Sequence, residues 1–235
     1  MASIYLIRHG QASFGSDIYD QLSPLGQRQA DLVGQYFQQV GIRFDYAIAG
    51  DLSRQQETGR RVLASQAEPP SLNTDPRFDE VDNDSQVRIL LPELVKRDDA
   101  LRKLVDSGFE SSKEYQKVIK ATFTAWILEG HRYSGLQHWS EYRDGVSAAL
   151  EGVMQAAGGG TNSAVFTSGG TIATAVGLVL KASAERFYDF YEPVFNCSIT
   201  RLIFSGSRVS LSNFNDVAHL SLLSAQLSED LVTYR

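Results

Sequence analysis

The chain contains one cysteine, Cys197, among 235 residues, which excludes an intramolecular disulfide. It has no apolar run long enough for a bilayer: Ile172 to Leu180 falls well short of the roughly 20 residues that a span needs. Positive charge is not in excess, since 22 Lys and Arg stand against 28 Asp and Glu for a net charge of -6. That balance argues against a general nucleic-acid or anionic-membrane surface, so any anion must be bound locally. Histidine is scarce, with four in all, and none sits at metal-ligand spacing from cysteine or acidic residues, so no metal site is expected. Asp79, Asp82 and Asp84 read as a solvated acidic loop. Internal repeats and low-complexity tracts are missing too. Met1-Ala2-Ser3 runs straight into an apolar segment without a basic stretch and long apolar run, which gives the expectation of a cytoplasmic protein. The length suits one core with room for an insertion, a single domain over 1–235.

What is present begins with Ile4-Tyr5-Leu6-Ile7, an apolar run that stops at Arg8-His9-Gly10. A strand's end is where an α/β sheet presents its chemistry. An imidazole can attack phosphorus and hold the phosphoryl group, provided a guanidinium neutralises its oxygens. Gly10 is read as allowing close backbone approach to that group. A polar loop follows from Gln11 to Gln21. Ser23-Pro24 then starts a helix whose Ala30, Val33, Phe37 and Val40 share one face, and Gly41 stops it. Tyr46 to Ala49 reads as a second strand feeding a helix from about Leu52 to Ser65. This βαβα alternation predicts an α/β fold, with a mostly parallel sheet covered on both faces by helices.

From about 84 to 138 the texture changes to charged, helix-prone segments, Leu90 to Val105 and Ser112 to Leu128, which read as an inserted helical cap. Tyr115, Phe123, Trp126 and Ile127 recur at the spacing of a packed helix face. A helix from about Ser140 to Ala157 leads, through Gly158-Gly159-Gly160, to a buried strand at Ala164-Val165-Phe166 that ends at Thr167-Ser168-Gly169-Gly170. Ser198 to Phe204 and Val209 to Phe214 read as a closing hairpin. Three further segments thus converge on Arg8-His9-Gly10. Arg54, just after the second strand, can form the other half of an anion clamp. Asp79-Glu80 offers a carboxylate to protonate a leaving alkoxide. Ser168, Gly169 and their neighbours suit the cradling of anion oxygens.

In this order, Leu6-Ile7-Arg8-His9-Gly10, Leu22-Ser23-Pro24-Leu25-Gly26 with Gln29-Ala30, Asp51-Leu52-Ser53-Arg54 with Thr58, and Asp79-Glu80 resemble the histidine phosphatase superfamily, the phosphoglycerate-mutase-like group. Val165 to Gly170 and Asn196-Cys197-Ser198-Ile199 extend the resemblance across nearly the whole chain. It implies a three-layer α/β/α sandwich, His9 as phosphoryl acceptor, Arg8 and Arg54 as phosphate clamps and Glu80 as proton donor, with no metal or organic cofactor. The implied partner is a phosphorylated small-molecule substrate, not nucleic acid or a membrane. An exposed cap or the hairpin leaves room for a homodimer contact.

One departure stands out. Where this family usually has a second histidine in a strand-end His-Gly pair, the chain has Ser168-Gly169. Losing that donor is expected to cost about 3 kcal/mol, roughly a hundredfold in rate. His219, in Asn215-Asp216-Val217-Ala218-His219-Leu220, is the candidate replacement, although a packing role fits it better. His131 and His138 read as surface residues, and Cys197 as a small buried one. The resulting expectation is a phosphomonoesterase acting through phosphohistidine, with a bell-shaped pH profile. The alternative is a pseudophosphatase that binds phosphorylated ligands or a partner with little turnover. A phosphoglycerate mutase is disfavoured because Gln11-Ala12-Ser13-Phe14-Gly15 lacks the Trp- and Asn-containing signature usual for mutases of this family.

Overall fold

The computed structural model describes residues 1–13, 20–109 and 111–234. Phe14 and Gly15, used above against a mutase, lie outside them, as does most of the polar loop at 11–21. A six-stranded sheet runs β3 (Leu72–Thr74), β2 (Tyr46–Ala49), β4 (Asn162–Thr167), β1 (Ala2–Arg8), β5 (Ile199–Ser205), β6 (Arg208–Asp216). The β3–β2, β2–β4 and β4–β1 pairs are parallel, and the β1–β5 and β5–β6 pairs are antiparallel. The parallel β2, β4 and β1 are the strands predicted from the βαβα alternation, and β5–β6 is the predicted hairpin, while β3 and the β1–β5 pairing are additions.

Period-two alternation sends successive β1 residues to opposite faces, and both faces are dry. Tyr5 and Ile7 pack with Phe37 of α1 (Pro24–Gln39), Val62 of α2 (Ser53–Leu63) and Leu220 of α9 (Ala218–Leu227). Ile4 and Leu6 pack with Val146 of α6 (Trp139–Ala157), Ile172 of α7 (Gly169–Val179) and the helices inserted between β3 and α6. Leu6, Ile7, Phe37 and Val62 are fully buried, each contributing about 1.5–3 kcal/mol of transfer free energy.

The inserted segment differs from expectation. Leu90 to Val105 is not one helix: α3 (Asn83–Arg97) and α4 (Asp99–Asp106) meet at Asp98, whose carboxylate accepts the Ala100 and Leu101 N–H groups and restarts the chain as a new helix. Next, α5 (Ser112–Glu129) places Phe123 against Tyr191 of α8 (Phe187–Tyr191), rings stacked at 5.0 Å. Phe123 and Trp126 are core, and Trp126 Nε1 donates to the Gln137 carbonyl at 2.7 Å. Val40, counted with the apolar face of α1, is half exposed because it is the residue that ends the helix. Gly41 does take the left-handed conformation of a helix stop, with Ile42 N–H bonded to the Phe37 carbonyl.

Candidate active site

The C-terminal ends of β2, β4 and β1 lie side by side and carry the site. His9 N–H extends the β1–β4 ladder to the Thr167 carbonyl at 2.9 Å, and Gly50 N–H reaches the Phe166 carbonyl at 3.1 Å. His9, Ser168 and the loop leading to Arg54 are therefore neighbours. Gly10 is needed for packing: a Cβ there would stand 2.3 Å from the Gly26 carbonyl oxygen in the first turns of α1. That contact, rather than approach to a substrate oxygen, is the requirement visible at Gly10.

His9 is buried, and its ring is held at both nitrogens. Nδ1 lies 2.7 Å from the Gly10 carbonyl, which can only accept, so Nδ1 carries the proton. Nε2 then accepts from Arg54 Nε at 3.2 Å. Burial, the Arg54 charge and then the Arg8 charge hold the imidazole well below the ordinary histidine pKa, and it is neutral at pH 7.

Arg54 sits on the first turn of α2, and Asp20 fixes it there. Asp20 Oδ2 accepts the Ser53 N–H, which the N-cap residue Leu52 leaves uncapped, while Oδ1 pairs with Arg54 Nη1, both at 2.8 Å. Arg8 follows a different plan, since its Nη1 donates to the main-chain carbonyls of Val194 and Tyr234. It contributes charge beside His9 while tying the C-terminal segment to the site.

Glu80 reaches across to α7. Its Oε1 accepts from Val81 N–H at 3.0 Å and Gly170 N–H at 2.8 Å, leaving Oε2 for other chemistry. A Cβ at Gly170 would stand 2.4 Å from that same Oε1 and would displace the Glu80 carboxylate. Tyr142 stays a neutral phenol, its pKa raised first by burial and then by the Glu80 charge. Asp79 is also raised, mainly by burial, and its Oδ1 accepts the Asp51 N–H at 2.5 Å. Asp82, from the acidic loop, caps α3 through the Ser85 N–H. Among the described residues no group of His, Cys, Asp or Glu is arranged to hold a metal.

Ser168 is fully buried, and its Oγ accepts from Gln55 Nε2 at 2.8 Å. His219 lies elsewhere: it stacks on Tyr36 at 5.0 Å and bonds the Cys197 main chain, on the α1 side of the sheet. Those contacts give it the packing role. His131 is exposed, and Cys197 is buried with its thiol pKa pushed up by desolvation.

Sequence reading missed Asp20 and Gln55. Nothing near Asp20 marked it. Gln55 was findable, because it shares a helix stripe with Thr58, Gly59 and Val62, a polar residue on a buried face. A cavity of about 850 Å³ lies far from this chemistry, at the other end of the sheet between Ile4, Leu150, Met154, Leu202 and Val209. No helix among the described residues is long and apolar enough to cross a membrane.

The fold is shared with known phosphatases and mutases. A phosphoserine phosphatase from Entamoeba histolytica, solved with 3-phosphoglyceric acid, superposes with a TM-score of 0.61 at 18% identity over 94% of this chain and 100% of its own. A phosphoglycerate mutase from Bacillus anthracis gives 0.64 at 17% identity over 94% and 95%. A mycobacterial glucosyl-3-phosphoglycerate phosphatase gives 0.57 at 18% identity over 91% and 98%. No curated protein matches the chain in sequence. The family model of the histidine phosphatase superfamily (branch 1) matches residues 4–103 and 95–217, and the chain belongs to that superfamily.

Proposed function

We propose that the protein is a phosphomonoesterase that works through a phosphohistidine on His9. The bonding of the two His9 ring nitrogens carries this reading: Nδ1–H is spent on the Gly10 carbonyl, and the Nε2 lone pair faces the Arg54 guanidinium. A neutral imidazole beside a fixed cation is an activated nucleophile for a phosphoryl group.

When an ester enters, Arg54 turns its N–H groups from Nε2 to the phosphoryl oxygens, and Arg8 adds its charge. Nε2 bonds to phosphorus as the ester P–O bond breaks. Glu80 gives a proton to the leaving oxygen, which departs as an alcohol. Water then attacks phosphorus while the Glu80 carboxylate takes its proton. The P–N bond breaks, its electron pair returns to Nε2, and inorganic phosphate leaves. Ser168 and Gly169 complete the phosphate pocket with neutral donors. The names of two structural relatives, a phosphoserine phosphatase and a glucosyl-3-phosphoglycerate phosphatase, support small phosphomonoesters as the substrate class.

The test is hydrolysis of a panel of phosphomonoesters without added metal, by the wild type and His9→Ala. Turnover lost in the variant, with ligand affinity retained, is the expected result. Intact phosphate-ester binding with no His9-dependent turnover on any substrate would instead identify a pseudophosphatase.

A further inference from the structure

We infer that Gln55 is a positioning residue for this reaction, its amide holding the Ser168 hydroxyl as a hydrogen-bond donor to the phosphoryl group on His9. The inference rests on the phosphatase reading above. Gln55 is fully buried and directly follows Arg54 on α2. Its Nε2 donates to Ser168 Oγ at 2.8 Å and to the Phe78 carbonyl at 3.1 Å. The carbonyl can only accept, which fixes the amide with its nitrogen towards both groups. Ser168 Oγ is therefore an acceptor at this contact, and its own proton points elsewhere. Among the described residues no group accepts it.

Two further observations separate this from ordinary packing. Ser168 stands at the N-cap of α7, where a serine would normally bond a helix N–H, yet it makes no such bond. The Gly170 N–H goes to Glu80 instead. In addition, Gln55 Oε1 is buried without a hydrogen-bond partner among the described residues. Unpaired buried acceptors are rare in native proteins and call for an explanation. Here the amide leaves its oxygen unpaired while both N–H groups are directed at Phe78 and Ser168. Ser168 follows Thr167, whose carbonyl bonds His9 N–H, so the backbones of Ser168 and His9 stand at neighbouring strand ends. A local rule broken in this way marks a functional site more often than a structural one.

The experiment is a double-mutant cycle in the full chain, with Ser168→Ala, Gln55→Met and the pair, read as kcat, KM and thermal midpoint on an ester that the wild type hydrolyses. Ser168→Ala is expected to lower kcat by about a hundredfold, and Gln55→Met by about tenfold, with KM moved less than about twofold in either. Adding Gln55→Met to Ser168→Ala is expected to lower kcat no further. An equal loss from Gln55→Met in both backgrounds, or wild-type kcat in Ser168→Ala, overturns the inference. Should Gln55→Met fail to fold, Gln55→Glu replaces it: its carboxylate accepts the hydrogen bond from the serine O–H, so kcat falls to the Ser168→Ala level, and an unchanged kcat overturns the inference. Turnover that survives His9→Ala would sink the phosphatase reading itself, a different result from any of these.

Discussion

Helices α1 and α7 both begin just after a serine, and the two serines do opposite things. Ser23 accepts the Gly26 N–H at 3.0 Å, with Pro24 at the first helical position, as local chemistry predicts. Ser168 holds the same place before α7 but bonds Gln55, while a carboxylate from a distant loop caps the helix. One serine satisfies its own helix, and the other has been relieved of that task. The contrast separates the scaffold from the site: where every local rule is obeyed the residue builds the fold, and where one is broken a third residue has taken over its structural duty.

The largest test of that division is Glu80, which both caps α7 and, on our reading, moves the proton. Glu80→Gln keeps an oxygen for the Gly170 N–H, so kcat is expected to fall by at least about a hundredfold while the thermal midpoint barely moves. Equal losses in both would make Glu80 a cap and nothing more. Next comes Ser168→His, which forces an imidazole into a fully buried site against Gln55 and is expected to cost about 1–3 kcal/mol of stability. Combining it with Gln55→Ala is expected to restore most of that loss in denaturant unfolding. At the other serine, Ser23→Ala should cost about 1 kcal/mol of stability and leave kcat within about twofold.

Acid stability tests the two buried histidines that lie on either side of this division. His9 and His219 are both held below the ordinary histidine pKa of 6.5 by burial, His219 at about 4. In the unfolded chain each binds its proton near 6.5, so the unfolded state takes up more protons below that pH. Stability contributed by the neutral folded forms is thus complete above 6.5 and declines as pH falls, for His219 down to about 4. Denaturant midpoints measured between these values should show the decline, and His219→Phe should flatten part of it. The acid limb of kcat/KM is expected below the usual histidine range, since His9 resists protonation.

The parallel sheet was legible in the sequence because its strands are short apolar runs that end at glycine or a charge, and burial on both faces needs no finer pattern. His9, Arg54 and Glu80 stand out in the sequence as candidates because they follow strands or turns. What escaped notice was carried by tertiary contacts. Strand β3 is short and polar, and pairs only because β2 offers an edge. The break at Asp98 competes with helix propensity on either side of it. The packing demand at Gly10 comes from Gly26, a neighbour brought in by α1. Asp20 lies in a loop without periodicity, and its link to Arg54 exists only once β1 and α2 are side by side.

The central claim is that His9 becomes phosphorylated. The most direct measurement is rapid acid-free quenching of the enzyme during turnover of a phosphomonoester, followed by peptide mapping. A phosphoryl group on His9 Nε2, stable in alkali, labile in acid and formed as fast as turnover, is the predicted result. An unlabelled His9 under steady turnover, or a label on another residue, would contradict the account.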